Sequence, residues 1–509
     1  MNDTSQGPRA LPSRLAAGLV FLASGAVLVL EIVALRLIGP YVGVTLQTSS
    51  AVIGMALGAI AYGAWLGGWL ADRRDPRRLL APALVLAGIT TALTLPVVRY
   101  SGEVLRGSAA GGILLLTALA VFVPAALLSA VTPLVVKLQL GDLRRTGRVV
   151  GKLSSIGTLG AITATLATGF VLVAALPSSV IMLCLAVGLG VAGLGLGLYL
   201  RRADHASGAA VPGSGRTRAL AAVLGLAGAG LTTVAPNPCD VETAYHCAAV
   251  HADPARPTGR LLLLNSARHS YVDLADPRHL EFAYTQWIGA LADVYAPTGR
   301  PMPALHLGGG GFTLPGYLNA TRPGSDNLVL ELDGELVALD QAKLGVRPGP
   351  GLRVEVGDAR VRLAAQPAAS RSLVIGDAFG HLVVPWHLAT RELVAEVRRV
   401  LRLDGVYAQN VIDYPPHRFA RAELATVAAE FPYVAVAAVP EALAGERGAN
   451  FVIAASQRPL PVDAWRDRLA TAASEPVTVL DGAALTDFVG DARILTDDYA
   501  PVDQLLATR

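Results

Sequence analysis

ALHLGGGGFTLPGYL, residues 304–318, decides how the second half of this chain is read. Four apolar-flanked residues give a short buried strand. Four glycines then open the way to a helical segment. A glycine-rich turn between strand and helix lets the backbone approach a ligand closely, and the strand marks the first edge of a nucleoside-type cleft. Working outward, NLVLELD is a second strand ending in Glu331 and Asp333, LRVEVGDAR a third ending at Asp358, and RSLVIGDAF a fourth ending at Asp377. ELVALDQAKLG and RELVAEVRRVLRLDG carry helical spacing, and VYAQNVID is a further strand. Strands alternating with helices predict an α/β, doubly wound, Rossmann-like domain of the methyltransferase type. RLLLLN and SYVDL predict a small β-sheet ahead of it, followed by a helix in HLEFAYTQWIGALADVYA.

In such sheets the ligand lies beyond the carboxyl ends of the strands. Here those ends carry Gly308, Gly309 and Gly310, then Glu331, Asp358 and Asp377. Carboxylates at these positions suit the hydroxyls and amino groups of a neutral or cationic nucleoside and repel a phosphate. Glu331 follows Gly308 at a distance that suits a ribose-binding acid.

The first half is of another kind. The chain has 509 residues, 53% hydrophobic and 16% charged, a balance skewed towards a membrane protein. Apolar runs at 13–38, 48–71, 79–98, 110–137, 150–176, 178–200 and 217–235 predict an N-terminal α-helical bundle of seven transmembrane spans. The fourth holds Pro124 and Pro133, which predict a bend, and the first holds an intramembrane acid, Glu31. The expected domains are the bundle at 1–235, a β-rich lead-in at 236–300 and the Rossmann-like domain at 301–509. Residues 1–235 hold 18 Lys/Arg against 7 Asp/Glu, and residues 236–509 hold 24 against 32. A basic bundle fits a lipid bilayer as partner, and an acidic second half argues against nucleic acid. Loops on the N-terminal side of the spans carry 15 Lys/Arg and the opposite loops 3. That asymmetry predicts a cytoplasmic N-terminus and, after seven spans, a soluble domain outside. Cys239 and Cys247, just beyond the last run, are close enough to bridge in an oxidising compartment. Two unpaired thiols or a metal site with His246 and His251 are the alternatives, although the spacing matches no common zinc pattern and no metal is expected.

LHLGGGGFTLPGYL, LVLELDGELVALD, VEVGDAR and LVIGDAFGHLVVPWHLATREL resemble the core of the spermidine synthases, the polyamine aminopropyltransferases. VLEIVALRLIGPYVG and LTDDYAPVDQLL resemble the bacterial membrane-fused members of that group. The resemblance spans about residues 260–415. It implies a co-substrate, decarboxylated S-adenosylmethionine, with no permanently bound cofactor, and an amine such as putrescine as partner. It also implies residue roles. Gly308, Gly309 and Gly310 would line the sulfonium nucleoside, Glu331 the ribose, and Asp358 with Ala359 the adenine. Asp377 would be the catalytic acid that positions the attacking amine, and Tyr284 would contact that amine. The chain departs from the family at Gly311 and Gly380, where acids are usual, and at His269 and Thr285, where glutamines are usual. His269, Asp273, Tyr284, His381 and the C-terminal Asp497 and Asp498 are the candidates to hold the amine's second nitrogen. The resemblance leaves room for a homodimer. Two other functions fit the same residues: a non-enzymatic polyamine or nucleoside transporter or sensor, and an S-adenosylmethionine-dependent methyltransferase. The latter would want a basic or amide partner near the glycine loop for the donor's carboxylate, and GGGGFTLPG offers none, which disfavours it.

Overall fold

The computed structural model describes residues 11–43, 46–106, 110–140, 145–205, 230–231, 234–265, 267–380 and 383–506. The chain divides into two compact units, Met1–Cys247 and Ala248–Arg509.

Six helices among the described residues of the first unit are long and apolar enough to cross a membrane. The first three are unbroken: α1 (Ser13–Val42), α2 (Leu46–Arg73) and α3 (Pro76–Val104). The fourth runs over Ala110–Gln139. It consists of α4 (Ala110–Thr117), a π-turn (Ala118–Phe122), α5 (Val123–Ser129) and α6 (Val131–Gln139). Pro124 has no N–H to offer, and the widened turn sits immediately before it. The fifth joins α7 (Thr146–Ala167), a second π-turn (Thr168–Leu172) and α8 (Val173–Ala175), and the sixth is α9 (Ser178–His205). Most of the expected seventh span, 217–235, lies outside the described residues.

Small residues set the packing of these helices. A Cβ at Gly67 would stand 2.7 Å from Ala130 Cα, and one at Gly25 would stand 3.1 Å from Gly160 O. In lipid there is no hydrophobic force to bring helices together, so close backbone approach through such residues holds the bundle. At one end of the bundle a polar knot forms. Arg36, near the end of α1, donates to Glu242 (3.2 Å), Thr243 O (2.5 Å) and Ala244 O (2.7 Å). The Glu242 carboxylate also accepts from the Ser178 N–H (3.1 Å) and hydroxyl, at the first turn of α9. Arg99, near the end of α3, donates to Ala235 O (3.3 Å). In the same segment Cys239 and Cys247 form a disulfide.

The second unit opens with antiparallel strands. After a two-residue strand β1 (Val241–Glu242) in the first unit come β2 (Cys247–Ala252), β3 (Gly259–Leu264) and β4 (Ala267–Asp273). Helix α10 (Ala283–Tyr295) follows. The main sheet has eight strands. Its parallel part is β9-β8-β5-β6-β7, with β5 (Ala304–Leu307), β6 (Asn327–Glu331), β7 (Leu352–Val356), β8 (Arg371–Gly376) and β9 (Leu401–Asp413). β5 and β6 are buried along their whole length, as the strand runs require. Helices α11 (Thr313–Thr321), α12 (Gly334–Lys343), α13 (Ala359–Ala364) and α14 (Arg391–Val400) connect them. Asp333 and Asp358 start α12 and α13 by accepting backbone N–H bonds, the ordinary capping role of Asp. Beyond β9 the sheet turns antiparallel through β11 (Ala449–Ser456), β10 (Tyr433–Ala438) and β12 (Thr478–Asp481). These three strands were not among the sequence expectations. The chain order reverses between β5 and β8, and that switch point is where the cleft opens.

Candidate active site

The glycine loop is shaped by need. Gly308 has φ +92° and Gly310 φ +48°, both in the left-handed region that favours glycine. A Cβ on Gly308 would stand 2.6 Å from the backbone oxygen of Asp377, so the ends of β5 and β8 touch here. A Cβ on Gly311 would stand 2.8 Å from Ser270 Cβ, which leaves no room for the acid that the spermidine synthases carry. The Gly311 N–H instead donates to Ser270 Oγ (2.9 Å). His269 lies against Gly310, its Nδ1 3.1 Å from Ser270 Oγ. The small sheet is thereby brought to the loop.

Glu331 ends β6 and is buried. One oxygen accepts from the N–H of Gly309 (2.7 Å) and of Gly310 (3.4 Å), and the other from the N–H of Asp333 (3.0 Å). Burial pushes this carboxyl's pKa up, and the three backbone donors oppose the shift. The carboxylate is held rigidly at the loop's mouth. Asp358 lies at the start of α13, with Ala359 buried beside it and its second oxygen 3.2 Å from His387 Nε2.

Asp377 follows β8. Tyr284 on α10 donates to one of its oxygens (3.0 Å) and Asn410 on β9 to the other (2.9 Å). Asn450 on β11 in turn donates to Asn410 Oδ1 (2.9 Å). Burial raises the Asp377 pKa to about 6, although both hydrogen bonds pull it down. The same burial, then the Asp377 charge, pushes the Tyr284 phenol well above its usual range, so Tyr284 stays a donor. The result is an oriented acid that changes charge within one or two pH units of neutrality. Tuning of this kind marks functional sites.

Tyr284, Asp377, Gly308 and Glu331 thus converge, with His269 at the loop's far side. Asp273 and Asp498 do not join them. Asp273 is paired with Arg256 and accepts from the N–H of Ala275 (2.8 Å) and Asp276 (3.2 Å). Burial would raise its pKa, but those donors together with Thr258 win and hold it well below the usual range. It lines a separate cavity of about 420 Å³ with His279, Gly311, Asn319 and Arg347. Asp498 sits exposed in the turn Thr496–Tyr499. Its neighbour Asp497 is the engaged residue, pairing with Arg360 (2.5 and 2.8 Å) and Thr390 (2.8 Å) just beyond Asp358. His381 lies outside the described residues.

Sequence reading passed over Asn410, Asn450, Ser270 and His387. The signal for Asn410 was present: a Gln-Asn pair inside the apolar stretch VYAQNVI, on the strand beside the one that leads to Asp377.

The comparisons bear on this geometry. A curated polyamine aminopropyltransferase from Vibrio vulnificus (strain CMCP6) is 30% identical over 113 residues. The α/β unit is similar to the polyamine aminopropyltransferases. The match covers 22% of this chain and 38% of that relative's length. No protein-family profile matches the chain. Among solved structures, a probable spermidine synthase from Corynebacterium glutamicum ATCC 13032 is 29% identical, covering 50% of this chain and 94% of its own, with TM-score 0.47. A spermidine synthase in complex with the transition-state analogue AdoDATO is 16% identical, covering 45% and 76%, with TM-score 0.35.

Proposed function

We propose that the chain is a membrane-bound aminopropyltransferase, moving an aminopropyl group from decarboxylated S-adenosylmethionine to an amine such as putrescine. The observation that carries this reading is Asp377, fixed by Tyr284 and Asn410 at the switch point and flanked by the loop of Gly308–Gly310 and Glu331. Glu331 would accept the ribose hydroxyls and Asp358 the adenine amino group. The donor's sulfonium polarises the methylene beside it. A neutral amine nitrogen attacks that carbon, the C–N bond forms and the C–S bond breaks. The bonding pair leaves on sulfur, giving neutral methylthioadenosine, and the new ammonium's proton passes to Asp377. Holding both reactants at contact distance supplies much of the rate, and Asp377 supplies the proton acceptor. Purified protein given this donor and a panel of amines should release methylthioadenosine, followed by mass spectrometry. Donor binding with no release across the panel would reject the transfer.

The same reading includes a topology: N-terminus in the cytoplasm, α/β unit outside. The excess of Lys/Arg on the N-terminal side supports it. So does the polar knot. The exits of α1 and α3, the start of α9 and residues 235–247 share one end of the bundle through Arg36, Arg99, Ser178 and Glu242. Cys239 and Cys247 then stand in oxidising space. In intact cells a membrane-impermeant thiol reagent should label them only after reduction. Labelling of both without a reductant, or activity of a cytoplasm-only reporter fused at Arg509, would overturn this topology.

A further inference from the structure

The membrane unit holds a carboxyl that no part of the transfer chemistry uses. Glu31 lies inside the apolar helix α1 and makes no hydrogen bond or ion pair among the described residues. An ionisable group at that depth is costly and persists where it has a task. Its surroundings are set by the seam between α1 and α7. A Cβ at Gly157 would stand 2.9 Å from Ser24 Oγ, and one at Gly25 would stand 3.2 Å from Ala164 Cβ. The two helices therefore climb in parallel. Phe21, Ser24, Leu28 and Glu31 recur at three- and four-residue spacing and share one face of α1. Gly160 packs between Phe21 and Gly25, and about eight residues further along both helices Glu31 comes level with Thr168, where the π-turn Thr168–Leu172 begins. Thr168 in that turn is fully buried, and its hydroxyl has no partner among the described residues. A π-turn shifts the backbone ladder and loosens carbonyl oxygens from it, which is why such turns collect at functional sites.

We propose that Glu31, the Thr168 hydroxyl and carbonyl oxygens of this π-turn form a cation site inside the bundle that takes a primary ammonium group. The available groups are a carboxylate, a hydroxyl and carbonyls, all acceptors, and an ammonium brings three donors. A carboxylate at the centre rejects an anion. Naming an amine as the cation rests on the proposed transfer activity, whose acceptor and product are both amines. The bundle then handles the amine as well as anchoring the enzyme.

The test uses the full chain in liposomes and a hydrophobic carbodiimide, which attacks carboxyls in apolar surroundings. The tryptic fragment between Arg14 and Arg36 contains Glu31 as its sole acidic side chain, so mass spectrometry of that fragment reads the site alone. The fragment should be modified in wild type and unmodified in Glu31→Gln. Millimolar putrescine should slow modification about tenfold, the effect of roughly 1.4 kcal/mol of binding, while sodium chloride of equal ionic strength should not. Thr168→Val should weaken that protection. An unmodified fragment in wild type, or protection by sodium chloride equal to that by putrescine, would overturn the site. Methylthioadenosine release in detergent, measured on the same preparations, should be unchanged in Glu31→Gln. Protection by putrescine without any release in wild type would support the site while rejecting the enzymatic reading.

Discussion

Asp377→Asn is expected to lower amine transfer by about 10²–10⁴-fold, the range for losing a positioned acid–base group, while leaving methylthioadenosine affinity nearly unchanged. Asn keeps the shape and both neighbours, Tyr284 and Asn410, but cannot take a proton. The wild-type carboxyl has its pKa raised to about 6, so it is a base above that pH and a neutral acid below it. Transfer per donor encounter should fall about tenfold for each pH unit below 6 and level off above. The effect on stability has the opposite sense. A carboxyl whose folded pKa is raised favours the folded state while protonated, and that contribution disappears as pH rises through about 6. At pH 8 the uncharged Asn variant should therefore unfold at the same temperature as wild type or higher. Steady-state kinetics and thermal melts on one preparation check both halves. Wild-type transfer in a folded variant would remove Asp377 from the mechanism, and a parallel loss of activity and melting temperature would make it a loop-holding residue only.

Glu331→Ala should weaken methylthioadenosine binding at least tenfold, because a hydrogen bond to a charged group is worth roughly 1.5–3 kcal/mol. The carboxylate has a second task that the test must separate. It accepts the N–H groups of Gly309, Gly310 and Asp333, so truncation also frees the glycine loop. Glu331→Gln keeps one acceptor oxygen and the volume. If ribose recognition is the main role, calorimetry should rank the affinities wild type, Gln, Ala, with the melting temperature of the ligand-free Gln variant close to wild type. Unchanged affinity in a folded Ala variant would reject the nucleoside assignment.

Much of the molecule was legible in the sequence, for local physical reasons. Long apolar runs can only be spans or cores, and alternating strand and helix periods in residues 304–413 force a parallel sheet with its cleft at the strand ends. Gly308 and Gly310 announce their own backbone conformations, and acids at strand ends mark the edge of the sheet where the cleft opens. What the sequence could not decide were matters of partnership. Asp358 and Asp377 look alike in VGDA and IGDA, yet one caps a helix beside His387 and the other is recessed between Tyr284 and Asn410, 93 and 33 residues away. Asp273 reads as an available acid until Arg256 and two backbone amides take it. The antiparallel strands β10–β12 are short apolar segments whose pairing follows from long-range hydrogen bonding, which leaves no local period. Tertiary structure alone settled these, because a carboxyl's charge state and task depend on which distant donors, and how little water, the fold places around it.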